Sequence, residues 1–173
     1  LEHIQPCTSF TNDEEFALSY NGNIRNINRA VSKFNISNIS IDTEMIIEII
    51  KKIDKPTLKD KLIEFMKNVN GVYCLIIMTK DGLYCLRDSY GVRPLCIGQN
   101  THGYCISSES CALQDYSFIR TIEPGEILFI SDKIESIFCL KRDKPAKCIF
   151  EYIYFMNKNT QTNNKTIEQI RYN

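Results

Sequence analysis

This chain predicts an α+β layered domain, with helices first and an antiparallel strand layer second. Two observations carry that prediction. Three segments within the first 70 residues place apolar side chains at helical spacing. After Gly71 the pattern changes to short apolar runs separated by turn residues, the mark of hairpin-connected strands. Helices laid on antiparallel sheets make a layered α+β domain, and 173 residues suffice for one such domain with a good core.

The elements follow in order. Residues 1–15 read as loop and residues 16–20 as a buried strand. A helix is expected over residues 24–34, with Ile24, Ile27, Val31 and Phe34 on one face. The Asn/Ser-rich FNISNIS is a loop. Asp42-Thr43-Glu44 opens a second helix through MIIEIIKKI, with Asp42 or Thr43 as N-cap. Pro56-Thr57 opens a third, in which Leu58, Leu62, Phe65, Met66 and Val69 keep helical spacing. GVYCLIIMT, the turn Lys80-Asp81-Gly82 and LYCLRD read as strand, turn and strand. SYGVRP is a loop. LCIG and YCISS are strands joined by a turn at residues 100–103. ESCAL is a short helix capped by Ser107 or Ser108. FIRTI, ILFIS and IESIFCL continue the strands across turns at Glu123-Pro124-Gly125-Glu126 and Asp132-Lys133. KCIFEYIYFM is one more apolar, aromatic segment, and the polar NKNTQTNNKT reads as a linker or frayed tail.

The most informative stretch is FALSYNGNIRN, residues 16–26. Asn-Gly falls between a strand and a helical pattern rather than between two strands. At such a junction free backbone N–H groups and the helix dipole point outward together. An Asn amide beside a bare Gly N–H can form a donor pair for an oxyanion. A tight strand-to-helix turn explains the same residues without chemistry.

Charge and composition exclude other classes. Lys+Arg and Asp+Glu both number 21, so there is no basic excess to hold a nucleic acid. The longest apolar runs, such as GVYCLIIM, are too short to span a bilayer. None of the eight cysteines forms a C-x-x-C pair, and Cys74, Cys85, Cys96 and Cys139 sit in apolar runs. They read as buried free thiols in a reducing, cytoplasmic setting, without a disulfide framework. His102 and Cys105 read as a loop histidine and a strand thiol rather than a metal pair. The chain opens LEHIQPC without Met, so its numbering is expected to start inside a longer protein.

Six motifs then occur in one order: NGN (21–23), IDTE (41–44), LRDSYGVRPL (86–95), SSESCAL (107–113), EPGE (123–126) and CIFEYIYF (148–155). With IQPC at residues 4–7, they resemble the glutamine-hydrolysing domain of the amidophosphoribosyltransferases, which belong to the N-terminal-nucleophile (Ntn) amidotransferases. The resemblance runs to Phe155, and CIFEYIYF after YGVRPL favours this family over asparagine synthetase-type relatives. It implies a four-layer αββα sandwich of two antiparallel sheets, incomplete at the N-terminus, with residues 1–156 a partial amidotransferase domain and 157–173 the polar tail.

The resemblance also implies a chemistry. An N-terminal cysteine thiolate attacks the glutamine amide, with its own α-amino group as proton shuttle. A thioester forms and ammonia leaves. The ammonia displaces pyrophosphate from phosphoribosyl pyrophosphate on a second domain, giving 5-phosphoribosylamine for purine nucleotide synthesis. By resemblance Asn21 (side-chain amide) and Gly22 (backbone N–H) are the oxyanion hole, and Asp42 holds the α-ammonium of glutamine. Read without the family, Asp42 is a helix N-cap. No cofactor is expected in this segment. The full-length family uses Mg2+ and, in cluster-bearing members, a 4Fe–4S cluster, and is homo-oligomeric. Cys148 matches a cluster ligand there, and is read here as a structural thiol. Arg87, Asp88, Tyr90 and Arg93 are expected to form a hydrogen-bonded turn with a partly buried ion pair.

The departures are specific. Residue 1 is Leu where the nucleophile should stand, so this stretch alone is expected not to turn over glutamine. Cys7 matches the apolar position of the family's I-Q-P-F and is no substitute. Tyr20 stands where His usually precedes N-G-N, and Ile41 where Ser usually precedes the Asp. MNKNT (156–160) replaces A-R-P-D-S, and the phosphoribosyltransferase domain is absent from the sequence. A non-catalytic relative kept as a binding or regulatory module is the alternative.

Overall fold

The computed structural model describes residues 4–11, 14–25, 27–36, 41–141, 146, 148–162 and 165–172. Its main sheet is built from β1 (Cys7–Thr11), β2 (Glu14–Ile24), β3 (Gly71–Thr79), β4 (Gly82–Arg87), β8 (Glu126–Ile130) and β9 (Ile134–Cys139), in that spatial order and antiparallel throughout. Between β4 and β8 the chain leaves to form a second sheet from β5 (Cys96–Asn100), β6 (Gly103–Ser107) and β7 (Ser117–Thr121), in the order β6-β5-β7. Two stacked antiparallel sheets under helices make the α+β architecture that the sequence predicts.

Helices α1 (Ile27–Phe34), α2 (Asp42–Lys52) and α3 (Leu58–Asn68) supply one helical layer. Their apolar faces meet alternate residues of the main sheet: Phe16 and Leu18 of β2, Tyr73, Leu75 and Ile77 of β3, and Leu86 of β4, all buried. The intervening residues face the second sheet. Cys74, Cys85 and Leu128 pack there against Leu95, Ile97 and Ile122. Elsewhere the described helical elements are short: Ser110–Ala112, Glu151–Phe155 and α4 (Ile167–Arg171). On the face toward the second sheet, Phe10 and Met78 are 62% and 55% exposed.

Local chemistry accounts for the helix boundaries. Thr57 caps α3, its side chain accepting from the Asp60 N–H at 3.1 Å. At the C-terminal end of α2 the buried Lys61 ammonium donates to the Lys51 carbonyl at 3.2 Å and to that of Ile53, satisfying carbonyls that the helix leaves open.

Several expectations are corrected. Residues 7–11 form β1 rather than loop, and β2 starts at Glu14. β2 also runs on through Asn21-Gly22 to Ile24, paired with β3, so no strand-to-helix turn occurs at Asn-Gly. Ile24 is the last strand residue, buried by strand alternation. Val31 and Phe34 of α1 pack on the core, while the Ile27 side chain and residues 37–40 of the Asn/Ser loop lie outside the described residues. The N-cap of α2 is Ile41, without a side-chain bond, not Asp42 or Thr43. The N-cap position of the Ser110–Ala112 turn is Glu109, although Ser107 Oγ accepts from the Glu109 N–H at 3.3 Å. Cys139 is exposed, not buried.

The described residues of the 157–173 segment form defined structure where the sequence suggests a linker or frayed tail. Ile167 of α4 is fully buried, and Thr166 with Gln169 closes a capping box. The Glu109 carboxylate receives the Thr160 hydroxyl at 2.5 Å and the Asn157 N–H at 2.6 Å, which ties this segment to the second sheet.

The EPGE turn gives the fold a pH dependence. Glu126, 4% exposed, accepts both guanidinium nitrogens of Arg120 at 2.8 and 2.9 Å and the Glu123 N–H at 2.8 Å. Burial pushes its carboxyl up, but these donors outweigh burial and hold it below the ordinary carboxylate value of 4.5. A depressed folded-state pKa contributes stability that is complete above the unfolded value and is lost as pH falls through the folded one. Urea melts of wild type and Glu126→Gln are therefore expected to differ most at neutral pH and to converge as pH falls through the depressed folded-state value. A difference that does not shrink in acid would refute this.

Candidate active site

The site is set by the edge of β2 that, among the described residues, no further strand pairs with. β1 pairs with β2 only as far as Cys7 opposite Leu18, so β2 runs on past its neighbour from Ser19 to Ile24. On its other side β2 stays paired with β3, with Asn21 opposite Cys74 and Gly22 opposite Tyr73.

The direction of the Gly22 N–H follows from its partner. The Tyr73 N–H donates to Asp88 Oδ2 at 3.0 Å and its carbonyl accepts from the Asp88 N–H at 2.9 Å, so the Tyr73 backbone is turned toward β4. In an antiparallel pair, a residue whose partner faces away also faces away. Gly22 therefore presents its N–H and C=O to the open edge. Tyr20, two residues earlier, does the same, and its N–H is taken by Gln5 Oε1 at 2.5 Å. Glycine is required at position 22, because a Cβ there would stand 2.2 Å from the Val72 carbonyl oxygen and 2.6 Å from Tyr73 Cα.

Side chains flank this edge on both faces. Cross-strand partners share a face. Asn21 shares that of Cys74, toward the second sheet, and is exposed. Tyr20 and Gly22 share that of Leu75 and Tyr73, toward the helices. On that side Asp42, the first residue of α2, is half-buried and accepts the Tyr20 hydroxyl at 3.0 Å through Oδ2. Burial and the Asp42 carboxylate push the Tyr20 hydroxyl well above its ordinary value, so it is a neutral donor. Asp42 and Gly22 thus lie on one side of the sheet. The Asn21 amide leaves from the other side.

Comparison with known proteins assigns a family to this arrangement. The glutamine amidotransferase domain family profile matches residues 2–115. The chain belongs to the glutamine amidotransferase domain family. It is 31% identical over 203 residues to the amidophosphoribosyltransferase of Mus musculus, covering 99% of this chain and 39% of that protein. It is likewise 31% identical over 180 residues to the amidophosphoribosyltransferase of Bacillus subtilis, covering 99% of this chain and 38% of that one. Among solved structures, it matches the B. subtilis glutamine phosphoribosylpyrophosphate amidotransferase complexed with ADP and GMP with a TM-score of 0.86 and 31% identity, over 98% of this chain and 39% of that chain. The chain therefore spans less than half the length of these relatives.

The other motifs of this amidotransferase domain serve its architecture. Arg87 donates to the carbonyls of Arg93, Ile122 and Gly91 at 2.8, 2.6 and 2.7 Å. Asp88, 1% exposed, accepts from the N–H groups of Tyr73, Tyr90 and Gly91 at 3.0, 2.7 and 3.2 Å. Gly91 (φ +66°) lies under Pro124, whose Cγ an added Cβ would meet at 2.5 Å, so the RDSYG and EPGE motifs interlock. The ion pair expected among Arg87, Asp88, Tyr90 and Arg93 does not form there: Arg93 pairs instead with Glu151, at 2.8 Å, and its guanidinium also lies 5.7 Å from the centre of the Phe155 ring. Glu151 anchors the CIFEYIYF turn, whose Ile149, Phe150, Ile153, Tyr154 and Phe155 remain exposed.

None of the buried cysteines suits nucleophilic chemistry. Burial pushes the Cys74, Cys85 and Cys96 thiols up to about 12, so none is a thiolate at neutral pH. Cys7 packs against the helix-side core. Cys148 is half-buried beside Arg87, Cys96 and Thr160. Among the described residues no group of three or more His, Cys, Asp or Glu side chains could hold a metal ion. Sequence reasoning missed Gln5 and Glu151, whose only signals were their places in IQPC and CIFEYIYF.

Proposed function

We propose that this chain is the glutamine-hydrolysing unit of an amidophosphoribosyltransferase. It releases ammonia from the glutamine side-chain amide. The ammonia is consumed by a phosphoribosyltransferase part of a longer protein, which uses phosphoribosyl pyrophosphate and Mg2+ to make 5-phosphoribosylamine. The observation that carries the reading is the edge of β2, where the Gly22 N–H projects and Tyr20, two residues earlier, bonds Asp42. Glutamine has one reacting amide and one α-ammonium, several bonds apart. Gly22 and Asn21 serve the oxyanion that forms at the amide carbon, and Asp42 serves the ammonium. The attacking thiolate is that of an N-terminal cysteine, and no described residue of this chain takes its part.

Kinetics on the intact protein that carries this domain test the reading. Asp42→Ala should raise KM for glutamine about 10- to 100-fold and leave kcat within a few-fold, because the ammonium contact is alike in ground and transition states. Activity with ammonia in place of glutamine should be unchanged. An unaltered KM for glutamine would remove Asp42 from the site and the reading with it.

A further inference from the structure

We propose that Tyr20 is a positioning residue for the α-ammonium subsite: its hydroxyl fixes one oxygen of Asp42 so that the other is presented to the α-ammonium of an amino acid lying across the β2 edge. The inference rests on the glutaminase reading of Asp42 and adds the residue through which that carboxylate is oriented.

Three observations carry it. Asp42 sits in the first turn of α2 but plays no part in capping it, the N-cap being Ile41 without a side-chain bond. Its carboxylate is instead bonded across to β2, by Tyr20 at 3.0 Å. Tyr20 is itself held at both ends. Its backbone N–H is bound by Gln5 Oε1 at 2.5 Å, and its ring packs on the helix-side core. A hydroxyl held this way sets the orientation of the carboxylate.

The chemistry of the donor matters as much as its place. An ionised carboxylate has about four acceptor positions, so one hydroxyl leaves ample capacity for an ammonium. Tyr20 is neutral, and so orients Asp42 without cancelling its charge. A Lys or Arg partner would hold the carboxylate as firmly but compete with the substrate ammonium for it. The arrangement selects ligands carrying an α-ammonium over those of the same length without one.

Binding by the intact protein tests this with two probes, L-glutamine and 4-carbamoylbutanoate, which is glutamine without its α-amino group. Tyr20→Phe keeps the ring and removes only the hydroxyl. It should weaken L-glutamine binding about tenfold, the worth of a hydrogen bond to a charged group, and leave 4-carbamoylbutanoate within twofold of wild type. The double variant Tyr20→Phe with Asp42→Asn should bind L-glutamine no more weakly than Asp42→Asn alone, since the hydroxyl acts only through Asp42. Equal losses for both probes, or no loss for L-glutamine, would overturn the proposal. If Asp42→Asn itself leaves L-glutamine binding unchanged, or wild type binds none, it is the glutaminase reading that fails. Loss on Asp42→Asn with none on Tyr20→Phe defeats the role of Tyr20 alone.

Discussion

Asn21→Ala is expected to lower kcat for glutamine hydrolysis by the intact protein about 10²- to 10³-fold, with KM changed little. The effect is on kcat because the amide donor meets an oxygen that is fully charged only as the tetrahedral intermediate forms. In the ground state the glutamine carbonyl needs the bond much less. Asn21 is exposed on the face toward the second sheet, and its removal leaves the β2–β3 pairing intact, so the fold should survive. Synthesis with ammonia as the nitrogen source should persist, since it bypasses glutamine. A kcat for glutamine equal to that of wild type would exclude Asn21 from the oxyanion hole.

The second large effect is on stability. Asp88→Ala should destabilise the domain by about 2–4 kcal/mol, because the buried Tyr73 N–H and the part-buried Tyr90 N–H lose their acceptor at about 1–3 kcal/mol each, while the Gly91 N–H keeps the backbone carbonyl of residue 88 at 3.1 Å. The loss would fall where β3, β4 and the loop into the second sheet meet, and Arg87 and Gly91 beside it hold that loop in turn. Burial pushes the Asp88 carboxyl above its ordinary value, against the pull of its three donors. A raised folded-state pKa favours the fold at pH below the unfolded value of 3.8, and that advantage is lost as pH rises through the folded value. The penalty for Asp88→Ala should accordingly be no smaller at pH 4 than at pH 7, the opposite of Glu126→Gln. Denaturant melts at the two pH values check both the size and the sign, and a loss under 1 kcal/mol would show that water replaces the carboxylate.

How much of this was legible in the chain depended on how local each signal is. The Lys80-Asp81-Gly82 hairpin and the Thr57 cap are written within four residues, and both stand where the sequence puts them. The Asn-Gly of β2 was misplaced because residues 20, 22 and 24 satisfy strand alternation while Ile24 also fits a short helical pattern. Only pairing with β3, some 50 residues away, decides between them. The α2 cap was misread because the Asp42 carboxylate has a partner on β2 that no local rule foresees. The composition of the tail reads as a linker or frayed end, yet Ile167 is buried and Thr160 reaches Glu109, contacts without periodicity. For the site, residue types at NGN and IDTE indicated which side chains matter. The edge toward which the Gly22 N–H points became visible only through Asp88, which turns the Tyr73 backbone away.

The strand order of the main sheet also bears on how the chain reaches this structure. Three of its pairings, β1–β2, β3–β4 and β8–β9, are hairpins, but β4 meets β8 only after the whole second sheet has intervened. Closing a loop of roughly 40 residues costs about 3 kcal/mol before any contact across it is made. The β2–β3 pairing carries a similar charge, since α1 to α3 lie between those strands. Hairpins and helices can form early, on microsecond timescales, while the two pairings that complete the sheet must wait for them. A domain so dependent on distant pairings belongs among the slow folders, reaching its native state in milliseconds to seconds. The pairing that exposes the Gly22 N–H at an edge is therefore among the last parts of the domain to assemble.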